Sequence, residues 1–274
     1  MRRGQTGAPA ADNRTKQTMR IPALLIAAVF GAVTVTLWAL ANQPVAEPEW
    51  PQRIQGFAFS PYHSGQDAVA GDFPSVQQIE GDLVLLKDRT RSIRTYTTDG
   101  SIGQVPALAE KHQIKVALGA WIDARFAHNA SEIERAIRLA RSHDNVIRLI
   151  VGNEVVLRGD IPLSDLTAYL DRVRTAVKQP VSTAEPWHVW LRHPELAEHV
   201  DYLAVHMLPY WEGVSAEASI GYIDAKVAEL EAAFPGKKIV LAEVGWPSNG
   251  RTREAAVASE SNEAMFLRRF LSRA

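Results

Sequence analysis

The sequence contains no cysteine among its 274 residues. Disulfide bonds, thiolate nucleophiles and cysteine-bound metals are therefore excluded, and so is a small disulfide-stapled module. Neither sign of charge is in excess, since 30 lysines and arginines face 31 aspartates and glutamates. Because such a chain offers no basic field, we expect no nucleic-acid partner. A hydrophobic content of 46% suffices for a large core and argues against disorder.

Common cofactor motifs are missing as well. No G-x-G-x-x-G follows the first predicted strand and no G-x-x-x-x-G-K occurs, which removes the two commonest nucleotide-binding patterns. The eight histidines form no H-E-x-x-H motif. We therefore predict that the protein requires no metal and no other cofactor.

One long uncharged run lies near the N-terminus, where residues 21–40 read IPALLIAAVFGAVTVTLWAL. A helix of this length covers about 30 Å, the thickness of a bilayer's hydrocarbon core. The basic arm before it, residues 1–20, carries five basic side chains and one acidic. This asymmetry predicts a single-pass protein with its N-terminus in the cytoplasm and the chain beyond residue 40 outside, in the periplasm or the extracellular space.

Cleavage of this segment stays open as an alternative. The tripeptide Ala39-Leu40-Ala41 matches the small-residue pattern of a signal-peptidase site, but the apolar run is longer than a typical signal sequence and begins late. A retained anchor is favoured, and both outcomes export the chain beyond residue 41. Residues 41–53 contain three prolines and are predicted to form an extended linker.

Seven short apolar runs alternate with amphipathic helical patterns in residues 54–274, which is typical of a parallel sheet built from βα units. Ile79 and Leu83 share the apolar face of one predicted helix. A capping box of Ser131 and Glu134 predicts that another helix begins at Ser131. The predicted strands are residues 54–60, 92–97, 115–121, 146–154, 180–185, 201–207 and 238–246.

Polar and aromatic side chains follow most of these strands. A doubly wound sheet would show the same alternation, but in a (β/α)₈ barrel the carboxyl ends of all strands converge on one mouth, where active sites are built. We therefore predict an α/β fold of the TIM-barrel type. The strand-end residues are Tyr62, His63, Tyr96, Trp121, Asn153, Glu154, Glu185, Trp187, Tyr210, Trp211, Glu243 and Trp246.

Two of these glutamates, Glu154 and Glu243, lie at the ends of apolar strand runs. Because desolvating a carboxylate is costly, each needs either a partner, such as an arginine across the barrel mouth, or a catalytic role. Paired carboxylates across a cleft suit glycoside hydrolysis, in which one donates a proton and the other attacks the anomeric carbon or activates water. The spacing in the sequence does not decide between retention and inversion.

The runs RLIVGNEV around Glu154 and LAEVGWPS around Glu243, with RTYT around Tyr96, resemble glycoside hydrolase family 17, the β-1,3-glucanase family. The resemblance extends from about Gly56 to the last residue and is greatest to the bacterial membrane-attached branch. It implies that the chain is a retaining hydrolase or transglycosylase of β-1,3-glucan. A glucan synthase is implied as a possible partner at the membrane.

The resemblance also implies roles for single residues. Glu154 matches the family's general acid/base, Glu243 its nucleophile and Asn153 the asparagine that binds a sugar hydroxyl. His206 stands where many members have asparagine, and it is either a contact to the substrate or the nucleophile or a buried histidine whose hydrogen bonds are satisfied within the fold. The remaining candidates are aromatic residues expected to bind sugar or, for Tyr210, to orient the nucleophile: Tyr96, Trp187, Tyr210, Trp211 and Trp246.

No eighth apolar run follows the seventh predicted strand in this sequence. We therefore predict a barrel truncated after its seventh βα unit, with strands one and seven as unpaired edges. Two other classes of function stay open at this point. One is a non-catalytic domain that binds β-glucan beside a synthase, and the other is a barrel enzyme that hydrolyses its substrate with a metal ion.

Overall fold

A computed structural model describes residues 20–43 and 46–273. The chain divides into two compact units, residues 1–46 and 47–274. The first contains helix α1 (Arg20–Ala41), in which Pro22–Ala41 has a mean hydropathy of 2.3 and is long and apolar enough to cross a membrane. The predicted apolar segment therefore forms a helix. Most of the predicted basic arm, residues 1–19, lies outside the described residues.

The second unit is built on one parallel sheet of seven strands, whose order in space is their order in the chain. Each predicted apolar run coincides with one of them, and β5 extends one residue beyond its run, so the predicted alternation is confirmed. Within the described residues, the sheet curls into a barrel of the TIM type that contains seven of the usual eight strands. The strands are β1 (Phe57–Ala58), β2 (Ser92–Arg94), β3 (Lys115–Ala120), β4 (Val146–Asn153), β5 (Val181–Pro186), β6 (Tyr202–Met207) and β7 (Lys238–Val244).

Helices connect successive strands and cover the outside of the sheet. Their apolar faces pack on the strands, as Ile79 and Leu83 of α2 do with no exposed surface. Short 3₁₀ turns at Gly100–Gln104 and Pro194–His199 complete the connections. The helices are α2 (Val76–Leu86), α3 (Val105–Lys111), α4 (Phe126–Ser142), α5 (Val155–Arg158), α6 (Leu163–Ala176), α7 (Trp187–Arg192), α8 (Ser219–Ala233) and α9 (Glu260–Leu271).

The start of α4 corrects one prediction. The helix begins at Phe126 and not at Ser131, because Ser131 lies inside it and its hydroxyl donates to the Ala127 carbonyl at 3.2 Å. Glu134 does not close a capping box and pairs instead with Arg172. A serine followed three residues later by glutamate also occurs inside helices, where the hydroxyl can bond the preceding turn.

The strand register aligns the residues that follow the strands. Asn153 of β4 lies beside Ala184 of β5, and His206 of β6 lies beside Glu243 of β7. Since all strands are parallel, these positions come to the same end of the barrel. The register thus gathers side chains that are up to 90 positions apart in the chain.

The two edges of the sheet, β1 and β7, remain unpaired on their outer sides in the part of the chain that the structure describes. Between them lies an open cavity of about 1060 Å³, lined by apolar residues such as Ile93, Ile150 and Phe270. The predicted open edges are therefore confirmed. Residues of the two edge strands are less buried than those of the central strands: Phe57 of β1 is 40% exposed, while Leu149 of β4 is 1% exposed.

The segment before β1 is fastened to α9. The guanidinium of Arg269 binds the Glu47 carboxylate at 2.5 and 2.7 Å, and Arg268 donates to the Pro48 carbonyl at 3.1 Å. The ion pair lowers the pKa of Glu47 from its ordinary value. The final part of the predicted linker, residues 47–53, therefore belongs to the folded second unit.

The packing of α2 is testable by a matched pair of substitutions. Leu83→Ala removes a side chain with no exposed surface and should lower the free energy of unfolding by about 2–5 kcal/mol. Val84→Ala, at a neighbouring site that is 43% exposed, should change it by less than about 0.5 kcal/mol. Urea unfolding followed by circular dichroism measures both. Equal effects of the two substitutions would contradict the packing.

Candidate active site

Two carboxylates meet at the carboxyl end of the barrel. Glu154 directly follows β4, and Glu243 is the next-to-last residue of β7. The imidazole of His206 lies between them, with Nδ1 at 2.8 Å from Glu154 Oε1 and Nε2 at 3.6 Å from Glu243 Oε1. His206 is only 1% exposed. One buried ring therefore spans the space between the two glutamates.

The neighbours of His206 fix the orientation of its ring. Its Nε2 lies 3.1 Å from Nη1 of Arg94. Its Nδ1–H donates to Glu154, because an ionised carboxylate can only accept hydrogen bonds. His206 is thus held by Arg94 on one side and by Glu154 on the other.

Arg94 of β2 organises the side of the site that contains Glu243. Its Nη1 donates to Glu243 Oε1 at 3.1 Å and to the Ala242 carbonyl at 3.0 Å, and its Nη2 donates to Asn153 Oδ1 at 2.6 Å. The hydroxyl of Tyr96 donates to the same Glu243 oxygen at 2.7 Å. Two donors therefore hold one oxygen of Glu243 in place.

Sequence reasoning missed Arg94. The available signal was a charged residue inside the apolar run 92–97, since a buried guanidinium at that position needs an acceptor. An ion pair with an arginine is the alternative to a catalytic role that the sequence leaves open for both glutamates. Glu243 forms such an ion pair, with Arg94. The partner that contacts Glu154 most closely is a histidine.

The surroundings lower the pKa of Glu154 and raise that of Tyr96. The hydrogen bond from His206 lowers the pKa of Glu154, against the effect of burial, and Arg158 and Arg94 lower it further. Burial raises the pKa of Tyr96 far above its ordinary value, so its hydroxyl keeps the proton that it donates to Glu243. The site therefore contains a neutral tyrosine beside an ion pair.

The backbone at Glu154 is unusual. Glu154 has φ 55° and ψ 32°, in the left-handed region, and Gly152 two residues earlier has φ 85°. A non-glycine residue in this region costs about 1–3 kcal/mol and persists only where its surroundings enforce it. The turn changes the direction of the chain between the end of β4 and the single helical turn of α5. It also directs the Glu154 side chain toward His206.

The predicted aromatic residues separate into two groups. Trp246 is 5% exposed, donates its indole N–H to the Val257 carbonyl and packs against Phe266, so it belongs to the core. Tyr210 is 5% exposed, and its hydroxyl donates to the Arg251 carbonyl. It is Tyr96, and not Tyr210, whose hydroxyl is bonded to Glu243.

Trp187 and Trp211 are more accessible. Trp187 is half-buried, and the Lys226 ammonium lies 3.8 Å from its ring centroid. Trp211 is 58% exposed, with the Arg253 guanidinium 4.2 Å from its ring centroid. Of the three predicted tryptophan platforms, Trp211 therefore presents the most open surface.

One group of three possible metal ligands lies close together in the described part of the chain. Atoms of Asp99, His128 and Glu132 lie within 4.8 Å of one another. The carboxylate of Glu132 already accepts hydrogen bonds from Thr97 and Thr98, and Arg135 pairs with both Asp99 and Glu132. These contacts account for the cluster as an ion-pair network.

A parallel barrel with two carboxylates joined through a buried polar network at its carboxyl end is the arrangement of a glycoside hydrolase. Comparison with family models agrees. Residues 56–274 match the BtgE/BtgC glycoside hydrolase domain, and the chain belongs to this family. The predicted resemblance to glycoside hydrolase family 17 is confirmed by similar fungal proteins of that family. The bacterial branch stays a prediction.

Two similar proteins are fungal. The probable family 17 glucosidase SCW4 of Saccharomyces cerevisiae is 29% identical over 217 residues, which are 77% of this chain and 55% of the yeast protein. The probable beta-glucosidase btgE of Aspergillus terreus is 27% identical over 82% of this chain and 42% of its own length. This chain thus spans about half the length of the curated relatives that it matches.

Two similar solved structures are of a Rhizomucor miehei enzyme. The glycoside hydrolase family 17 beta-1,3-glucanosyltransferase shares 26% identity with a TM-score of 0.69, over 80% of this chain and 83% of that chain. An active-site mutant of that glucanosyltransferase in complex with laminaritriose shares 28% identity with a TM-score of 0.70, over 80% and 82%.

The hydrogen bond from His206 to Glu154 predicts a direction of titration. His206→Phe removes the N–H that stabilises the ionised Glu154, so the pKa of Glu154 should rise. His199→Phe is the control, because His199 pairs with Asp171 and with neither glutamate of the site in the described structure. A ¹³C NMR titration of the glutamate carboxyl carbons measures the pKa. An unchanged or lower value in His206→Phe would contradict the assignment.

Proposed function

We propose that this chain is a retaining glycoside hydrolase or transglycosylase that acts on β-1,3-linked glucan. The observation that carries the proposal is the pairing of Glu154 and Glu243 across His206, with Glu243 held by two donors on one oxygen. Membership of a glycoside hydrolase family supports the reaction class. The laminaritriose complex of the similar Rhizomucor enzyme supports the linkage.

The roles of the two carboxylates follow from the runs that contain them, RLIVGNEV for Glu154 and LAEVGWPS for Glu243. Glu243 accepts hydrogen bonds from Arg94 and Tyr96, which hold one of its oxygens in place for attack. Glu154 has one oxygen bonded to His206, and its second oxygen is available to carry the proton for the leaving group. We therefore assign Glu154 as general acid/base and Glu243 as nucleophile.

In the first step, a Glu243 oxygen attacks the anomeric carbon and the glycosidic C–O bond breaks. The departing oxygen takes the proton of Glu154, which leaves a covalent glycosyl-enzyme and an ionised Glu154. In the second step, Glu154 removes a proton from water or from a sugar hydroxyl, whose oxygen attacks the same carbon and releases Glu243. Asn153, fixed by Arg94, is placed to bind the sugar hydroxyl next to the reacting carbon.

Water and sugar compete in the second step. An exposed aromatic ring beside the mouth favours a sugar acceptor, since its apolar face binds the C–H face of a pyranose. Trp211 offers such a ring, and the similar Rhizomucor protein is described as a glucanosyltransferase. Both observations support transfer as part of the activity, with Trp187 as a further sugar contact.

The location is a second part of the proposal. Helix α1 supports a single membrane anchor that places the barrel outside the cytoplasm. An anchored enzyme would act on glucan close to the membrane, where a glucan synthase would release it. This chemistry makes a synthase the proposed neighbour.

The two glutamates provide the main test. Glu154→Gln and Glu243→Gln should each lower the turnover of laminari-oligosaccharides by at least about 10³-fold without loss of fold, because each removes a group that acts in the transition state. Glu212→Gln, at an exposed glutamate after β6, is the control and should retain activity.

Chromatography of the products distinguishes the remaining possibilities. Products longer than the substrate indicate transfer, and only shorter ones indicate hydrolysis. Laminarin binding without any cleavage by the wild-type protein would replace the proposal with a non-catalytic binding domain. Activity that is lost on addition of a chelator would point to a metal-dependent enzyme.

The anchor is tested by the mass of the chain recovered from cells. A retained helix α1 predicts the full-length mass and extraction by detergent but not by alkaline carbonate. Cleavage after Ala41 would shorten the chain and release it from the membrane. Replacing Ala39 and Ala41 by arginine should block cleavage by signal peptidase. If the wild-type chain has a shortened mass and only this variant has the full-length mass, the segment is cleaved and retention is contradicted.

A further inference from the structure

A third glutamate, Glu185 of β5, lies beside the site with no exposed surface. Its Oε1 accepts the backbone N–H of Val156 at 2.8 Å, and its Oε2 accepts that of Leu157 at 3.3 Å. In the described structure, Glu185 takes part in no salt bridge. A buried carboxyl whose partners are two backbone N–H groups serves to hold the chain at that point.

The chain that Glu185 holds is the turn directly after Glu154. Val156 and Leu157 belong to α5, which begins at the residue after Glu154. On the other side, the Glu154 N–H donates to the carbonyl of Ala184, the residue before Glu185, at 2.7 Å. Two consecutive residues of β5 therefore hold the backbone of Glu154 and of the turn that follows it.

The left-handed backbone of Glu154 makes this support necessary. Without the two acceptors of Glu185, the N–H groups of Val156 and Leu157 would be unsatisfied, and the turn would be free to relax toward a more favourable backbone. Relaxation would move the Glu154 carboxylate away from Nδ1 of His206, which lies 2.8 Å from it. The geometry of the proposed acid/base thus depends on a residue that, in the described structure, is hydrogen-bonded to neither His206 nor Glu243.

We propose that Glu185 is a positioning residue that holds the acid/base Glu154 in its left-handed backbone conformation and against His206. The catalytic consequence of this inference rests on the proposed function, whereas its structural part, the position of Glu154, does not. Burial raises the pKa of Glu185 to about 7, and the backbone hydrogen bonds from Val156 and Leu157 oppose this rise.

The first experiment measures the position of Glu154 without any need for activity. In Glu185→Gln, which keeps one acceptor oxygen and faces the other N–H with an NH₂ group, the hydrogen bond from His206 to Glu154 should loosen. The pKa of Glu154 should then rise, as followed by ¹³C NMR titration with Glu154→Gln used to assign the signal. Glu132→Gln, at another glutamate with no exposed surface, should leave that pKa unchanged.

The second experiment measures catalysis. Against laminari-oligosaccharides, Glu185→Gln should lower kcat roughly tenfold and Glu185→Ala about a hundredfold, with little change in KM, because misplacing a reacting group by about 1 Å costs this much. Against an aryl glucoside with a good leaving group, formation of the glycosyl-enzyme needs no acid. Its burst rate should therefore fall much less, as it should in Glu154→Gln.

The outcomes separate the two proposals. Equal losses on both substrates, or a pKa of Glu154 that does not move, would overturn the positioning role. If Glu185→Ala does not fold, Glu185→Gln decides alone. A wild-type protein that cleaves no β-1,3-glucan would overturn the proposed function, while the shift in the pKa of Glu154 would still decide the role of Glu185.

Discussion

The structure of the site depends on one buried cation. Arg94 is 6% exposed, and its guanidinium reaches residues of β4, β6 and β7 from its position on β2. A charge in the barrel interior is tolerated only if acceptors surround it, and Glu243, Asn153 and the Ala242 carbonyl supply them. The same contacts orient Glu243, the proposed nucleophile, and His206, and they fix the amide of Asn153 beside Glu154, the proposed acid/base. Charge compensation and catalytic geometry are thus a single arrangement.

The parts of the fold that could be predicted from the sequence are those that depend on burial and period. Strands buried on both faces produce continuous apolar runs, so the sequence predicts all seven strands. Glu154 and Glu243 stand out in the sequence because carboxylates rarely follow such runs. The ends of the elements were less accurate. β1 is only two residues long, where a run of seven was predicted, because it lies at an open edge.

The rest of the site could not be predicted because it depends on contacts between distant strands. Nothing local shows that Arg94 meets His206 across 112 positions, or that Glu185 binds the turn after Glu154. Trp246 is a residue for which position in the sequence misleads. Its place beside a strand end predicts a sugar platform, whereas its indole N–H binds the Val257 carbonyl and its ring packs on Phe266 in the core. Sequence identifies which residues need partners, whereas only the register tells which partners they find.

The two glutamates proposed to be catalytic lie on strands of unequal support. β4 is hydrogen-bonded to a strand on each side, whereas β7 is paired only with β6 in the described structure. Strands paired on both sides open less readily to solvent than edge strands, so local opening costs more around Glu154 than around Glu243. Glu243 thus lies on the strand that opens more readily, and its hydrogen bonds from Arg94 and Tyr96 join that strand to β2 and the loop after it. Side-chain hydrogen bonds at this site therefore also restrain the motion of an edge strand.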